Sequence, residues 1–180
     1  YVRALRGEVS RLFPVSEPFQ LNRARVLSEG DDITVLTSGI MTEEALRAIP
    51  VLQERGVSIK HLHISTLKPF TDPQVVEALS SAKKGVITME NHTIVGGLGS
   101  AVAELMAEHG VGVPLRRIGI NDSYAHGASQ KYLMAELGLD SSALVAQVEN
   151  LVGESFGIDA DQLAEVREVS VHSTAKAEAL

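Results

Sequence analysis

GVITMENHTIVGGLGSAVAEL, residues Gly85–Leu105, decides the fold. Gly85–Met89 is a short apolar run rich in branched side chains, the pattern of a strand buried on both faces. Gly96, Gly97 and Gly99 follow as a loop, and Val102, Leu105 and Met106 then recur at helical spacing. Strand, loop and helix in that order is the unit from which parallel α/β sheets are built. It is also a common cradle for phosphate. A P-loop needs Lys and then Ser or Thr after its last glycine, and none is here. The dinucleotide fingerprint needs a third glycine, but Gly97-Leu98-Gly99 runs on into Ser100, Ala101 and Val102. No basic residue stands nearby. The free N–H groups of the helix would tolerate an anion. Tight turning and close backbone packing is the stronger reading of the glycines.

The same unit recurs on either side. Ile33–Thr37 (ITVLT) is a continuous apolar strand, broken by Ser38-Gly39 and followed by Ala45, Leu46, Ile49 and Leu52 on one helical stripe. Pro50 falls inside that stripe and is expected to kink the helix or stop it early. Gly56 is a suitable C-terminal stop. Ser58–Ile64 alternates as a strand, and Asp72-Pro73 is an N-cap with proline at the first helical position. Leu115–Ile120 is a further parallel-type strand. Asn121–Ser129 is a loop, and helices follow over Gln130–Leu137 and Ser141–Leu151. Upstream, Phe19–Leu27 reads as a strand with a polar, edge-like pattern. The class is therefore α/β, with a mostly parallel sheet and helices on both faces.

The two ends read differently. YVRALRG begins in what looks like a strand (Tyr1–Ala4) already under way, as in a fragment whose upstream part is missing. Gly7–Glu17, with Gly7, Pro14 and the following Pro18 either side of mixed residues, reads as a linker and a domain boundary. Beyond Gly153 the pattern weakens. Asp159–Val166 suits a short helix, and the last dozen residues carry no apolar face and are expected to be loose. The expected division is residues 1–18, 19–153 and 154–180.

Composition narrows the function. The net charge of −7 argues against nucleic acid, which needs a basic face. Arg3 with Arg6, and Arg23 with Arg25, leave room only for a local basic patch. No cysteine is present, so thiolate chemistry, disulfides and cysteine-held metals are excluded. That composition fits a reducing compartment, and the cytoplasm is the expected location. No apolar run approaches the ~20 residues that span a bilayer, so no membrane partner is expected.

Candidate site residues are few. Glu90 and His92 stand at the carboxyl end of a strand, the edge where open α/β sheets bind ligands. They suit an acid and base pair, or a loop cap and an interface hydrogen bond, and the second reading is the stronger. His61 and His63 share a strand face, but no third metal ligand is marked, so a solvated or helix-packed pair is expected. His126 lies in a loop with Tyr124 and is a candidate ligand contact. No Ser/His/Asp arrangement is visible. From composition alone, Arg3 and Arg6 read as surface ion pairs.

Taken together, DDITVLTSG, IKHLHISTLKPFTD, GVITMENHTIVGGLGSAVAEL and VPLRRIGINDSYAHGASQKYLMAELGLD resemble the C-terminal domain of transketolase-like, thiamine-diphosphate-dependent enzymes. The resemblance covers about residues 19 to 152 and is strongest to the separate C-terminal subunits of split bacterial transketolases. Deoxyxylulose-phosphate synthases and the β subunits of 2-oxo acid dehydrogenases are more distant relatives. The most specific stretches are Glu90–Ala103, LKP at Leu67–Pro69 and IGIND at Ile118–Asp122. The resemblance implies a three-layer α/β/α sandwich with a mixed five-stranded sheet whose first strand is antiparallel. It makes Tyr1–Gly7 the closing strand of a pyrimidine-binding domain. In related enzymes the arginine of the closing Arg-Gly or Arg-Gln pair holds the substrate's phosphate; by position that is Arg6, with Arg3 as fallback.

The implied activity is transfer of a two-carbon ketol unit between phosphosugars, as in the pentose phosphate pathway. Thiamine diphosphate and magnesium would be held by an N-terminal domain or subunit outside this segment. The 180 residues alone would be inert, with no catalytic, cofactor or metal residue of their own. Glu90, His92 and His126 would stand at interfaces or at the site's edge, in a homodimer or heterotetramer. The alternatives are a deoxyxylulose-phosphate synthase and a non-catalytic assembly or regulatory domain.

Overall fold

The computed structural model describes residues 1–5 and 9–166. Its elements run β1 (Arg25–Ser28), β2 (Ile33–Thr37), α1 (Met41–Glu54), β3 (Ile59–His63), α2 (Pro73–Ser81), β4 (Gly85–Thr93), α3 (Leu98–Glu108), β5 (Leu115–Ile120), α4 (Gln130–Glu136), α5 (Ser141–Val152) and α6 (Ala160–Glu165). The five strands lie in the order β1-β3-β2-β4-β5. β1 is antiparallel to β3, and every other pairing is parallel.

Strand alternation sorts the core into two layers. On one face Ile33, Val35, Ile59, Ile87, Met89 and Ile118 pack under Ala45, Ile49 and Leu52 of α1 and Leu144 and Val148 of α5. On the other, Leu36, Leu62 and Val86 meet Val75 and Leu79 of α2 and Leu98 and Val102 of α3. Each fully buried aliphatic side chain of this kind contributes about 1.5–3 kcal/mol. Most polar groups inside are paired, Thr88 Oγ1 on β4 being the exception: Thr34 Oγ1 donates to the Ala78 carbonyl at 2.8 Å. The Glu44 carboxylate on α1 accepts from Ser141 N at 2.9 Å, which ties α1 to the start of α5.

Four boundaries differ from the expectation. Tyr1–Ala4 forms no strand. β1 starts at Arg25 rather than Phe19, because Asn22 adopts φ +55 and turns the chain. Asn22 is held there by Thr66 and Thr71. α1 continues through Pro50 to Glu54. Pro50 is exposed, so water can serve the Leu46 carbonyl it leaves unpaired, and the buried opposite face holds the helix. β4 extends past Met89 to Thr93, so Glu90 and His92 lie on a strand extension rather than in a loop. The Asp72 cap forms as expected, accepting from Gln74 N at 3.1 Å.

The segment after Gly153 folds back onto the body. Leu163 of α6 is buried against α1, with Phe156 and Ile158 beside it, and Glu149 Oε1 accepts from Phe156 N at 2.7 Å. The last dozen residues, expected to be loose, lie outside the described residues.

Candidate functional site

The sheet's topology places its crevice. The chain steps from β2 to β3 on one side and then crosses to β4 on the other, so the switch point lies between the carboxyl ends of β2 and β4. Ser38 N donates across it to the Met89 carbonyl at 3.1 Å. Asn91 stands at it: a Cβ on Gly39 would lie 3.2 Å from Asn91 Oδ1. Arg3 Nη2 closes it from outside with a 3.1 Å bond to the Asn91 carbonyl. Of the two N-terminal arginines, Arg3 therefore reaches the sheet edge. Arg6 lies outside the described residues.

Glu90, Asn91 and His92 occupy an irregularity in β4. Met89 pairs with Ile118 and Thr93 with Ile120, so four steps of β4 oppose two of β5. Such a bulge re-aims side chains. Here it turns Glu90 under the glycine loop, where its Oε2 accepts from Leu98 N at 2.7 Å and its Oε1 from Gly99 N at 2.8 Å. Glu90 is only 2% exposed. Its carboxylate thus sits at the amino end of α3, where a phosphate would otherwise sit, and interacts favourably with the helix dipole. A Cβ on Gly97 would stand 1.9 Å from Glu90 Oε2, so only glycine fits there. The Leu98 and Gly99 N–H groups, which a phosphate would use, are thus already taken by the Glu90 carboxylate, and Arg117 of β5, unforeseen from the sequence, lies against the loop at Gly99 and donates to the Ile94 carbonyl at 3.1 Å.

His92 points elsewhere. Its Nδ1 donates to the Thr93 carbonyl at 2.8 Å, which leaves Nε2 as the basic nitrogen. His126 has contacts of its own. It is exposed, 3.7 Å from Glu136 Oε2 and edge-on to Tyr132, with ring centroids 5.9 Å apart. The Arg23 and Arg25 patch is neutralised, Arg23 by Asp72 at 3.3 Å and Arg25 by Glu17 at 3.2 Å. Among the described residues no three His, Asp or Glu side chains converge as metal ligands.

The strand histidines pack under α1. His61 Nε2 lies 2.9 Å from Thr37 Oγ1, which lies 2.9 Å from Thr42 Oγ1, which lies 2.8 Å from His63 Nδ1. Burial, with the neighbouring His63, lowers the His61 pKa to about 3. Burial, with Arg25 beside it, lowers that of His63 to about 4. Both rings are neutral near pH 7. The shared face was legible from the spacing; the threonine bridge was not, because Thr37 and Thr42 meet only across the turn into α1.

These features have relatives. The transketolase C-terminal domain model matches residues 22–144, and the chain belongs to that family. It is 39% identical over 146 residues to the 6-deoxy-6-sulfo-D-fructose transketolase subunit SqwH of Clostridium sp. (strain MSTE9), covering 81% of this chain and 44% of that one. It is 34% identical over 150 residues to a putative transketolase C-terminal section of Methanocaldococcus jannaschii, covering 82% and 46%. A 1-deoxy-D-xylulose-5-phosphate synthase of Synechococcus sp. (strain JA-2-3B'a(2-13)) is 33% identical over 132 residues, 73% of this chain and 20% of that one. Among solved structures, a split-gene transketolase described as an inactive β4 tetramer superposes with a TM-score of 0.73 at 33% identity, covering 81% of this chain and 47% of that one. The chain thus spans less than half the length of these relatives.

Proposed function

We propose that this chain is the C-terminal part of a thiamine-diphosphate-dependent transketolase that moves a two-carbon ketol unit between sugars bearing a terminal anion. The observation that carries this is a carboxyl edge occupied by the chain's own side chains. At the switch-point crevice Asn91 stands beside Gly39 and Arg3 bonds the Asn91 carbonyl, and the glycine loop is held by Glu90. The domain thus spends its two usual ligand positions on its own structure, as suits a part that supports and closes a site built mainly elsewhere. Its relatives named as transketolase sections and subunits agree with that role.

Thiamine diphosphate, with magnesium, would supply the carbanion chemistry from an N-terminal domain or partner subunit. This chain would contribute the N-terminal arginines, Arg6 first and Arg3 as the alternative, to the substrate's phosphate through charge-assisted bonds. His92, half-buried beside Arg3's anchor, would stand at the site's edge. Glu90 would act there only through the loop it shapes, and exposed His126 would face a neighbouring domain or subunit. Because one relative is named for a sulfosugar, the anion to test is sulfonate as well as phosphate.

The test is substitution in the intact assembly. Arg6→Ala is expected to raise KM for a phosphorylated donor at least tenfold and to leave KM for a non-phosphorylated analogue unchanged. An equal effect on both would remove the anion role. Similarity to deoxyxylulose-phosphate synthases favours a second reading, condensation of pyruvate with glyceraldehyde 3-phosphate. Pyruvate consumption in the same assay would select it.

A further inference from the structure

The described residues before β1 (1–5 and 9–24) meet the carboxyl edge of the sheet at successive points. Arg3 bonds the Asn91 carbonyl on β4. Ser10 meets the Glu43 carboxylate in the first turn of α1, N to Oε1 at 3.3 Å and Oγ to Oε2 at 3.4 Å. The Phe13 ring then lies against His63 at the end of β3, with centroids 5.1 Å apart. The Arg25 guanidinium stacks on Phe13, 4.0 Å from the ring centre. Arg25 and His63 are register partners across the β1–β3 pair, so Phe13 covers one rung of the sheet. A turn from Pro14 to Glu17 and the Glu17–Arg25 ion pair at 3.2 Å lead the chain down to β1.

Between residues 9 and 20 only Ser10, Leu12 and Phe13 are even partly covered; the rest are exposed. An exposed, twice proline-bearing segment has little of its own to hold it. The Ser10 contacts are long, and an exposed ion pair is worth at most about 1 kcal/mol. Phe13 brings aromatic area and a cation–π contact. Its seat on His63 is held in turn, because His63 Nδ1 lies 2.8 Å from Thr42 Oγ1.

We propose that Phe13 is a positioning residue: seated between His63 and Arg25, it fixes the strap's path over the sheet edge and thereby where Arg3 stands. The second half rests on the reading that an N-terminal arginine meets the substrate's anion. The first half does not.

The experiment compares wild type, Phe13→Ala and Phe13→Leu in the assembled protein. Its structural arm follows trypsin cleavage after Arg11 and amide exchange at Ser10 and Glu17, whose N–H groups are bonded in the strap. Phe13→Ala is expected to speed both at least tenfold while amides of β2 and β4 stay unchanged, and Phe13→Leu to restore most of the protection. No change in cleavage or exchange would overturn the strap. If Phe13→Ala fails to fold, Phe13→Leu at wild-type thermal stability decides, with a smaller rise expected and none contradicting. The kinetic arm measures KM for a phosphorylated donor and its non-phosphorylated analogue. A selective rise with kcat unchanged supports positioning. Opened straps with both KM values unchanged overturn it. Arg6→Ala and Arg3→Ala measured alongside show whether the arginine reading has failed instead.

Discussion

Glu90 does for α3 what a bound phosphate does for the helices of nucleotide-binding folds, and it does so from inside the chain. Its oxygens satisfy two of the helix's free N–H groups at 2.7 and 2.8 Å in a setting closed to water. Such charge-assisted bonds are about twice as strong as neutral ones. Gly97→Ala should therefore cost on the order of 2–3 kcal/mol, since the added carbon must displace the carboxylate. Thermal unfolding would show it as a clear drop in Tm, and an unchanged Tm would mean that the carboxylate is not seated there. The buried histidines make a pH-dependent contribution. His61 and His63 titrate near 3 and 4 when folded, against about 6.5 when unfolded. Below about pH 6.5 the unfolded chain binds more protons, so stability is full above that pH and falls as pH drops towards 4. The slope is on the order of 1 kcal/mol per pH unit for each histidine. Urea unfolding from pH 7 to 4.5 should show this fall, and His63→Gln should flatten part of it. Asp31 and Asp32, lowered by their bonds to Lys83 and Ser58, matter only further down, near and below their ordinary range.

At the scale of elements, what was legible followed from periodicity and what was missed came from contacts between distant segments. Ile33–Thr37 and Gly85–Met89 announced themselves because a strand covered on both faces must be apolar at every position. Asp72-Pro73 announced α2 because capping is local. The same Asp72 also accepts from Ala24 N at 2.6 Å, and nothing in the local sequence shows that a cap for α2 will also anchor the approach to β1. Asp72→Ala is thus expected to cost about 2–4 kcal/mol, more than a cap alone. It should also raise amide exchange in β1 before the parallel strands, and exchange rising equally everywhere would contradict the double role. Pro50 misled for the opposite reason: a strong local signal was overridden by tertiary packing. Pro50→Ala should stabilise the chain by about 1–3 kcal/mol, because α1 already continues past it. A loss of stability would mean that the proline is required where it stands.

For the whole molecule, the mixed sheet, its strand order and its two-sided cover correspond to what the sequence resemblance implied, and the family match rests on the same residues. The candidate site was less legible. Glu90 and His92 were visible as a pair at a strand's carboxyl end, but the β4 bulge separates their directions, and a bulge leaves no mark in hydropathy. Phe13 gave no signal at all, because an aromatic residue in a proline-flanked linker is identical in pattern to a solvated one. The central claim is that this chain closes a site whose cofactor is held elsewhere. The measurement that tests it most directly is ketol transfer from xylulose 5-phosphate to ribose 5-phosphate. It would be run with this chain alone, with the thiamine-diphosphate-binding part alone, and with both together, each with and without thiamine diphosphate and magnesium. Formation of sedoheptulose 7-phosphate only in the complete, cofactor-loaded mixture is the predicted result. Turnover by this chain alone, or none in the complete mixture with either a phosphorylated or a sulfonated sugar, would contradict it.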